Sequence, residues 1–306
     1  MSATLAQVRF RRNAPLDTGQ VTDARGRGMG AGGVAVGGGG LGLVGLIIYI
    51  LISVLSNGSA GASLPPQLAP LDNQQVGQAD TPSNIDQNCK TGQDANERTD
   101  CRIVAVVNSV QKFWDGVFQR SNRQYQYVDT VFFTGQTDTG CGTADSQVGP
   151  FYCPRDKLVY IDLGFFKDLQ SRFGVGSSPF VQAYVIAHEY GHHVQDQLNI
   201  LDKLGGSQTG PESLSVRTEL QADCYAGVWA AHAVETQLVE QLTPADINDG
   251  LDAAAAIGDD RIQQQTQGQV NPETWTHGSS EQRRRWFSRG YQQSRPAVCD
   301  TFTGSI

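Results

Sequence analysis

Residues 179–198 read PFVQAYVIAHEYGHHVQDQL, and the organisation of the whole chain can be worked outward from this stretch. Ser178 followed by Pro179 supplies an N-cap and a first-turn proline, so the spacing predicts a helix from Pro179 through about Leu198. Phe180, Val181, Tyr184, Val185 and Ile186 give that helix an apolar face to bury. Within it, His188-Glu189-Tyr190-Gly191-His192 sets two imidazoles four residues apart, hence on one face and one turn apart, where both can bind a single tetrahedral ion. Glu189 follows His188 directly, so its carboxylate is aimed near the ion's open position rather than at the ion, where it can take a proton from water. His188 and His192 are expected as Zn2+ ligands and Glu189 as a general base.

Two histidines do not complete a catalytic zinc site, so a third ligand must come from elsewhere. A second helix, opened by Pro211 and running to about Leu242, carries Glu219-Leu220-Gln221-Ala222-Asp223. Its two acids lie one turn apart on one face, so one can bind the metal while the other accepts a hydrogen bond from a ligand imidazole; Glu219 is the best candidate for the ligand. Ala222 and Ala226 are small enough to let this helix approach the first closely. His193 lies off the ligand face and reads as solvent-facing or supporting, and His232 as structural. Arg283, Arg284 and Arg285 read as a solvated charge run or as partners of a nearby acid.

Further out, residues 101–120 show near-helical apolar spacing through Ile103, Val106, Val107, Val110, Phe113 and Trp114, as in an amphipathic helix. Tyr127–Phe133 and Leu158–Leu163 read as short strands, and Thr243-Pro244 opens a third helix after the metal motifs. The fold class expected is α+β, mainly helical with a small edge sheet, in one folded domain over residues 89–306. All six cysteines lie in that part, an even number without a C-x-x-C pair, which favours disulfides. Of the fifteen pairings, Cys89 with Cys101 and Cys141 with Cys153 would close short local loops, leaving Cys224 with Cys299.

Before the domain, residues 1–33 carry five arginines without apolar periodicity and read as a disordered basic tail. Val34–Leu55 is a 22-residue stretch without a charge, long enough for a transmembrane helix. Residues 56–88, rich in Ser, Pro, Gln and Asn, read as a flexible linker. With no Lys or Arg between the span and Lys90, the positive-inside rule places the tail in the cytoplasm and the domain outside, as a single-pass cell-membrane protein. A signal peptide cleaved near Gly58-Ser59-Ala60 is the competing reading and exports the same domain. A net charge of -8 gives no electrostatic footprint for nucleic acid, so no nucleic-acid partner is expected.

His188-Glu-Tyr-Gly-His192 followed by Glu219-Leu-Gln-Ala-Asp223 resembles the gluzincin arrangement of thermolysin and of membrane-bound peptidases. With Cys224-Tyr-Ala-Gly227 and Thr276-His-Gly-Ser-Ser-Glu-Gln-Arg283, the chain is more closely similar, over about Val104 to Tyr291, to the bacterial neutral zinc metallopeptidases. The resemblance implies a zincin-like domain that hydrolyses a protein or peptide substrate, anchored to the membrane by its N-terminal helix. It implies His188, His192 and Glu219 as ligands, Glu189 as base, and Asp223 as a histidine's partner. By similarity to the late histidine of gluzincins, His277 would donate to the oxyanion. By fold analogy the strand with Tyr160 and Asp162 would be the edge that binds substrate backbone. The competing function is a non-hydrolytic zinc-binding envelope protein, against which the placement of a general base argues, since a purely structural site closes its fourth position with a protein ligand.

Overall fold

A computed structural model describes residues 8–26, 84–175, 178–203 and 208–306. In chain order these form β1 (Arg9–Phe10), β2 (Val21–Asp23), α1 (Ile85–Asn88), α2 (Gly92–Glu97) and α3 (Thr99–Arg120). Strands β3 (Thr130–Phe133), β4 (Gln136–Thr139), β5 (Gly142–Asp145), β6 (Phe151–Cys153) and β7 (Leu158–Asp162) follow. Helices α4 (Phe165–Phe173), α5 (Pro179–Gln197) and α6 (Leu214–His232) lead to β8 (Val239–Gln241), then α7 (Pro244–Ala256), α8 (Asp259–Gln267) and α9 (Ser280–Gln293). The protein is mainly helical with small sheets.

The helix starts that position the site are set by local capping. Ser178 accepts from the Phe180 N–H at the head of α5. Thr243 with Asp246, and Ser279 with Gln282, form reciprocal capping boxes before α7 and α9. Helix α6 begins at Leu214 rather than Pro211, because Ser213 is the residue whose side chain accepts from the Val216 N–H. It ends at His232 rather than near Leu242. Val239–Gln241 is instead a strand paired antiparallel with Arg9–Phe10, a tertiary contact that overrides local helical pattern.

The main sheet has the order β2-β3-β7-β6, with β2, β3 and β7 parallel and β6 an antiparallel edge. Strand β7, expected as the edge, is internal, and the edge facing α5 is β6. Helix α3 is not amphipathic over its first half. Asp100, Asn108 and Gln111 are buried along with its apolar residues, since α5 covers one side and residues 8–26 the other. The reading of residues 1–33 as a disordered tail therefore fails for Val8–Gly26, which supply two strands. The linker reading of residues 56–88 fails at its end, where Asn84 caps α1. The span expected at Val34–Leu55 lies outside the described residues; among those described, no helix is long and apolar enough to cross a membrane. Three disulfides join Cys89 to Cys101, Cys141 to Cys153 and Cys224 to Cys299.

Candidate active site

Gly191, inside the histidine motif, is what brings the two site helices together. A Cβ at this position would stand 3.0 Å from the Cα of Ala222, so α5 and α6 meet backbone to backbone where the ligands lie. Across that contact the Nε2 atoms of His188 and His192 are 3.2 Å apart. Oε2 of Glu219 lies 3.1 Å from His188 Nε2, and Oε1 lies 3.5 Å from His192 Nε2. Three ligands at about 2.05 Å in tetrahedral angles would be separated by roughly 3.3 Å, so these distances outline one face of a zinc tetrahedron.

The tautomers say what the face is for. Asp223 Oδ1 lies 2.8 Å from His188 Nδ1, and an ionised carboxylate only accepts, so Nδ1 carries a proton and Nε2 is the nitrogen left to offer a lone pair to an ion. Gln195 donates its amide N–H to the Thr218 carbonyl and to Gln221 Oε1, leaving its own Oε1 to accept from His192 Nδ1 at 2.8 Å. Two imidazole lone pairs and a carboxylate, all buried, then converge on one point, which is unfavourable unless a cation sits there. The side chains fit zinc. Without an ion, the same demand for positive charge falls on His188: burial opposes its protonation, yet Asp223 and Glu219 raise it to about 10. Burial likewise opposes ionisation of Glu219, which His192, His277 and His188 nonetheless hold well below the carboxylate range.

Asp223 is fixed in turn. The buried Arg283 donates from Nε to Oδ2 at 2.8 Å and from Nη2 to Oδ1 at 3.0 Å, and Tyr184 donates its hydroxyl to Oδ1 at 2.5 Å. Against the desolvation of burial, Arg283 and His188 pull the carboxyl down to about 2. The expectation that Arg283 belongs to a solvated run fails, while its reading as partner to an acid describes what is found. Neither Arg283 nor Tyr184 stood out in the sequence as a site residue, although Tyr184 lies one turn before His188 on the same face.

Glu189 is not among the three converging ligands. Its Oε2 accepts from the Tyr152 backbone N–H of edge strand β6 at 3.0 Å, and burial pushes its carboxyl up to about 7. The Tyr152 hydroxyl donates to Asp196 at 2.8 Å and lies 3.2 Å from His193 Nδ1. His193 is thus fully buried rather than solvent-facing. Its Nε2 lies 2.8 Å from the Gln126 carbonyl, and burial lowers it to about 4, so it is neutral and ties α5 to β6.

His277 is buried beside this group, close enough for its charge to act on Glu219. Asp259 Oδ2 accepts the backbone N–H groups of Thr276, His277 and Gly278 at 2.8, 2.7 and 3.1 Å, and its Oδ1 lies 3.3 Å from His277 Nδ1. His277 Nε2 is buried with no hydrogen-bond partner among the described residues. Tyr160 and Asp162 do not join the site: Tyr160 donates to Asp156, and Asp162 accepts from the Gly135 and Gly164 N–H groups. His232 is likewise remote, lying 2.8 Å from the Ser294 carbonyl.

This geometry agrees with the family comparison. The family model described as "Putative neutral zinc metallopeptidase" matches residues 10–302. The chain belongs to that family. It is 50% identical over 224 residues to the uncharacterized protein Rv2575 of Mycobacterium tuberculosis, covering 71% of this chain and 75% of the relative. It is 46% identical over 217 residues to the uncharacterized protein YpfJ of Escherichia coli, covering 69% and 74%. No solved structure is significantly similar to this family member.

Proposed function

We propose that this family member is a membrane-anchored, extracytoplasmic peptidase that uses Zn2+ held by His188, His192 and Glu219. The observation that carries the reading is the convergence of three buried acceptors on one point, with Glu189 beside them as a non-ligand carboxylate. Zinc bound there supplies Lewis-acid polarisation of a carbonyl and water acidified to a pKa of about 7. Glu189, oriented by the Tyr152 N–H, takes a proton from the attacking water and returns it to the leaving amine. His277, held at Nδ1 by Thr276 Oγ1 at 2.7 Å and Asp259 at 3.3 Å, donates from Nε2 to the oxyanion that develops on the scissile carbonyl. Three disulfides support an oxidising compartment, and the charge-free stretch Val34–Leu55 supports attachment to a membrane.

Metal analysis of the purified full chain should give about one zinc, with cleavage of an unfolded-protein panel abolished by chelator. Glu189→Gln should keep the metal and lose cleavage. A zinc-loaded wild type that cleaves nothing, or a Glu189→Gln variant as active as wild type, would overturn the reading.

A further inference from the structure

Residues 8–26 and 84–306 form one body, although residues 27–83, with the charge-free 22-residue stretch Val34–Leu55, lie between them in sequence. The body is shaped to receive the earlier segment along its length. Val21–Asp23 pair in parallel with Thr130–Phe132, and Arg9–Phe10 pair with Val239–Gln241. Asn96 accepts the Phe10 N–H and donates to the Phe10 carbonyl, both at 2.9 Å. Asn108 does the same for Asp17, at 2.8 and 2.9 Å. Buried Asp246 accepts the Val8 N–H at 2.8 Å. Arg25, also buried, pairs with Asp23 and Asp100 and lies over the Phe132 ring. At Gly92 a Cβ would stand 2.1 Å from the Arg11 carbonyl oxygen, so the body leaves room for the segment only because this residue has no side chain.

Paired strands lie about 4.8 Å apart, whereas one crossing of a bilayer separates the flanking chain by about 30 Å of hydrocarbon. Buried polar groups such as Asp246 and Asp100 would also lose partners if the segment were elsewhere. We propose that Val8–Arg25 are a built-in strand donor that docks from the membrane face occupied by the peptidase body, so that both share one compartment. The cytoplasmic tail expected from the arginine count, and a cleaved signal peptide, are both incompatible with this docking. The inference stands on strand pairing and does not depend on peptidase activity.

The test uses the full chain in bacterial cells, with an epitope tag before Met1 and an antibody to the body. On intact spheroplasts treated with a membrane-impermeant protease, tag and body should be lost together or protected together. Opposite fates would overturn the proposal. As a second measurement, Thr22→Cys with Asp129→Cys places two thiols where side-chain oxygens lie 3.3 Å apart. With a specific protease site inserted after residue 60, the two fragments should stay joined on a non-reducing gel and separate with reductant. Fragments that separate without reductant, while the six native cysteines remain bonded, would likewise overturn it. Zinc content of the same preparations reports separately on the metal site.

Discussion

Arg283 decides how firmly His188 is held, because it clamps both oxygens of the carboxylate that orients that imidazole. Arg283→Met would leave Asp223 buried without its cation. Breaking a buried pair from one side costs about 3–5 kcal/mol, and loss of outer-shell support weakens metal binding about 10–100-fold. We predict a lower Tm and at least tenfold weaker zinc affinity in a competing-chelator titration. Arg284→Met, whose partner Asp252 is exposed, should change stability by no more than about 0.5 kcal/mol. For His277→Ala we predict unchanged zinc content and kcat reduced about 100-fold to 1000-fold, the usual effect of losing one oxyanion donor. Unchanged kcat would remove His277 from the mechanism. His188 and His192 were legible because a spacing of four fixes a common face, and Glu189 because it directly follows the first of them. Arg283 was hidden in a run of three arginines, where only tertiary packing separates the buried member from its exposed neighbour.

At the scale of elements, the head of α8 holds the loop that carries His277. Asp259 is buried, which alone would raise its carboxyl, yet His277 and the backbone N–H groups it accepts lower it below the ordinary carboxylate range. A group depressed on folding contributes stability that is complete above its unfolded value, about 3.9, and is lost as pH falls through the lower folded value. Acid should therefore release this loop. Asp259→Asn should lower Tm at pH 7 and flatten the fall in Tm below pH 4, as followed by calorimetry. Two helix starts were readable because caps are local chemistry: Ser178 and Thr243 act within three residues of themselves, whereas the Pro211 reading missed the Ser213 cap of α6. Strand β8 was not readable, since its three residues take their state from a distant partner, Arg9–Phe10.

For the whole molecule, the Cys224–Cys299 bond ties α6 to the chain's last turn across a sequence separation of 75. It adds to a contact in which a Cβ at Gly290 would stand 2.0 Å from the Cys224 carbonyl oxygen. In the loop-entropy model such a closure stabilises by about 4 kcal/mol. Replacing both cysteines with alanine should lower the unfolding free energy in guanidinium by a few kcal/mol while leaving zinc content at neutral pH unchanged. Deleting residues 1–26 should do more damage. It uncovers the side of β3 that pairs with β2 and the Asp246 carboxylate that accepts from Val8, so we predict aggregation on purification. The mainly helical domain with its two motif-bearing helices was legible from motif and periodicity. The body's true extent was not: a polar segment without periodicity looks unstructured until Asn96, Asn108 and Gln111 are seen to hold it.

The pairing of Arg9 with Gln241 and of Val21 with Thr130 also orders events during synthesis. Strand β1, made first, is among the last to find its neighbour, because it must wait for residues that leave the ribosome much later than the partner of β2. Nascent chains halted before about residue 240 should carry a protease-sensitive segment around Val8–Phe10, and long-range pairing of this kind makes maturation slow.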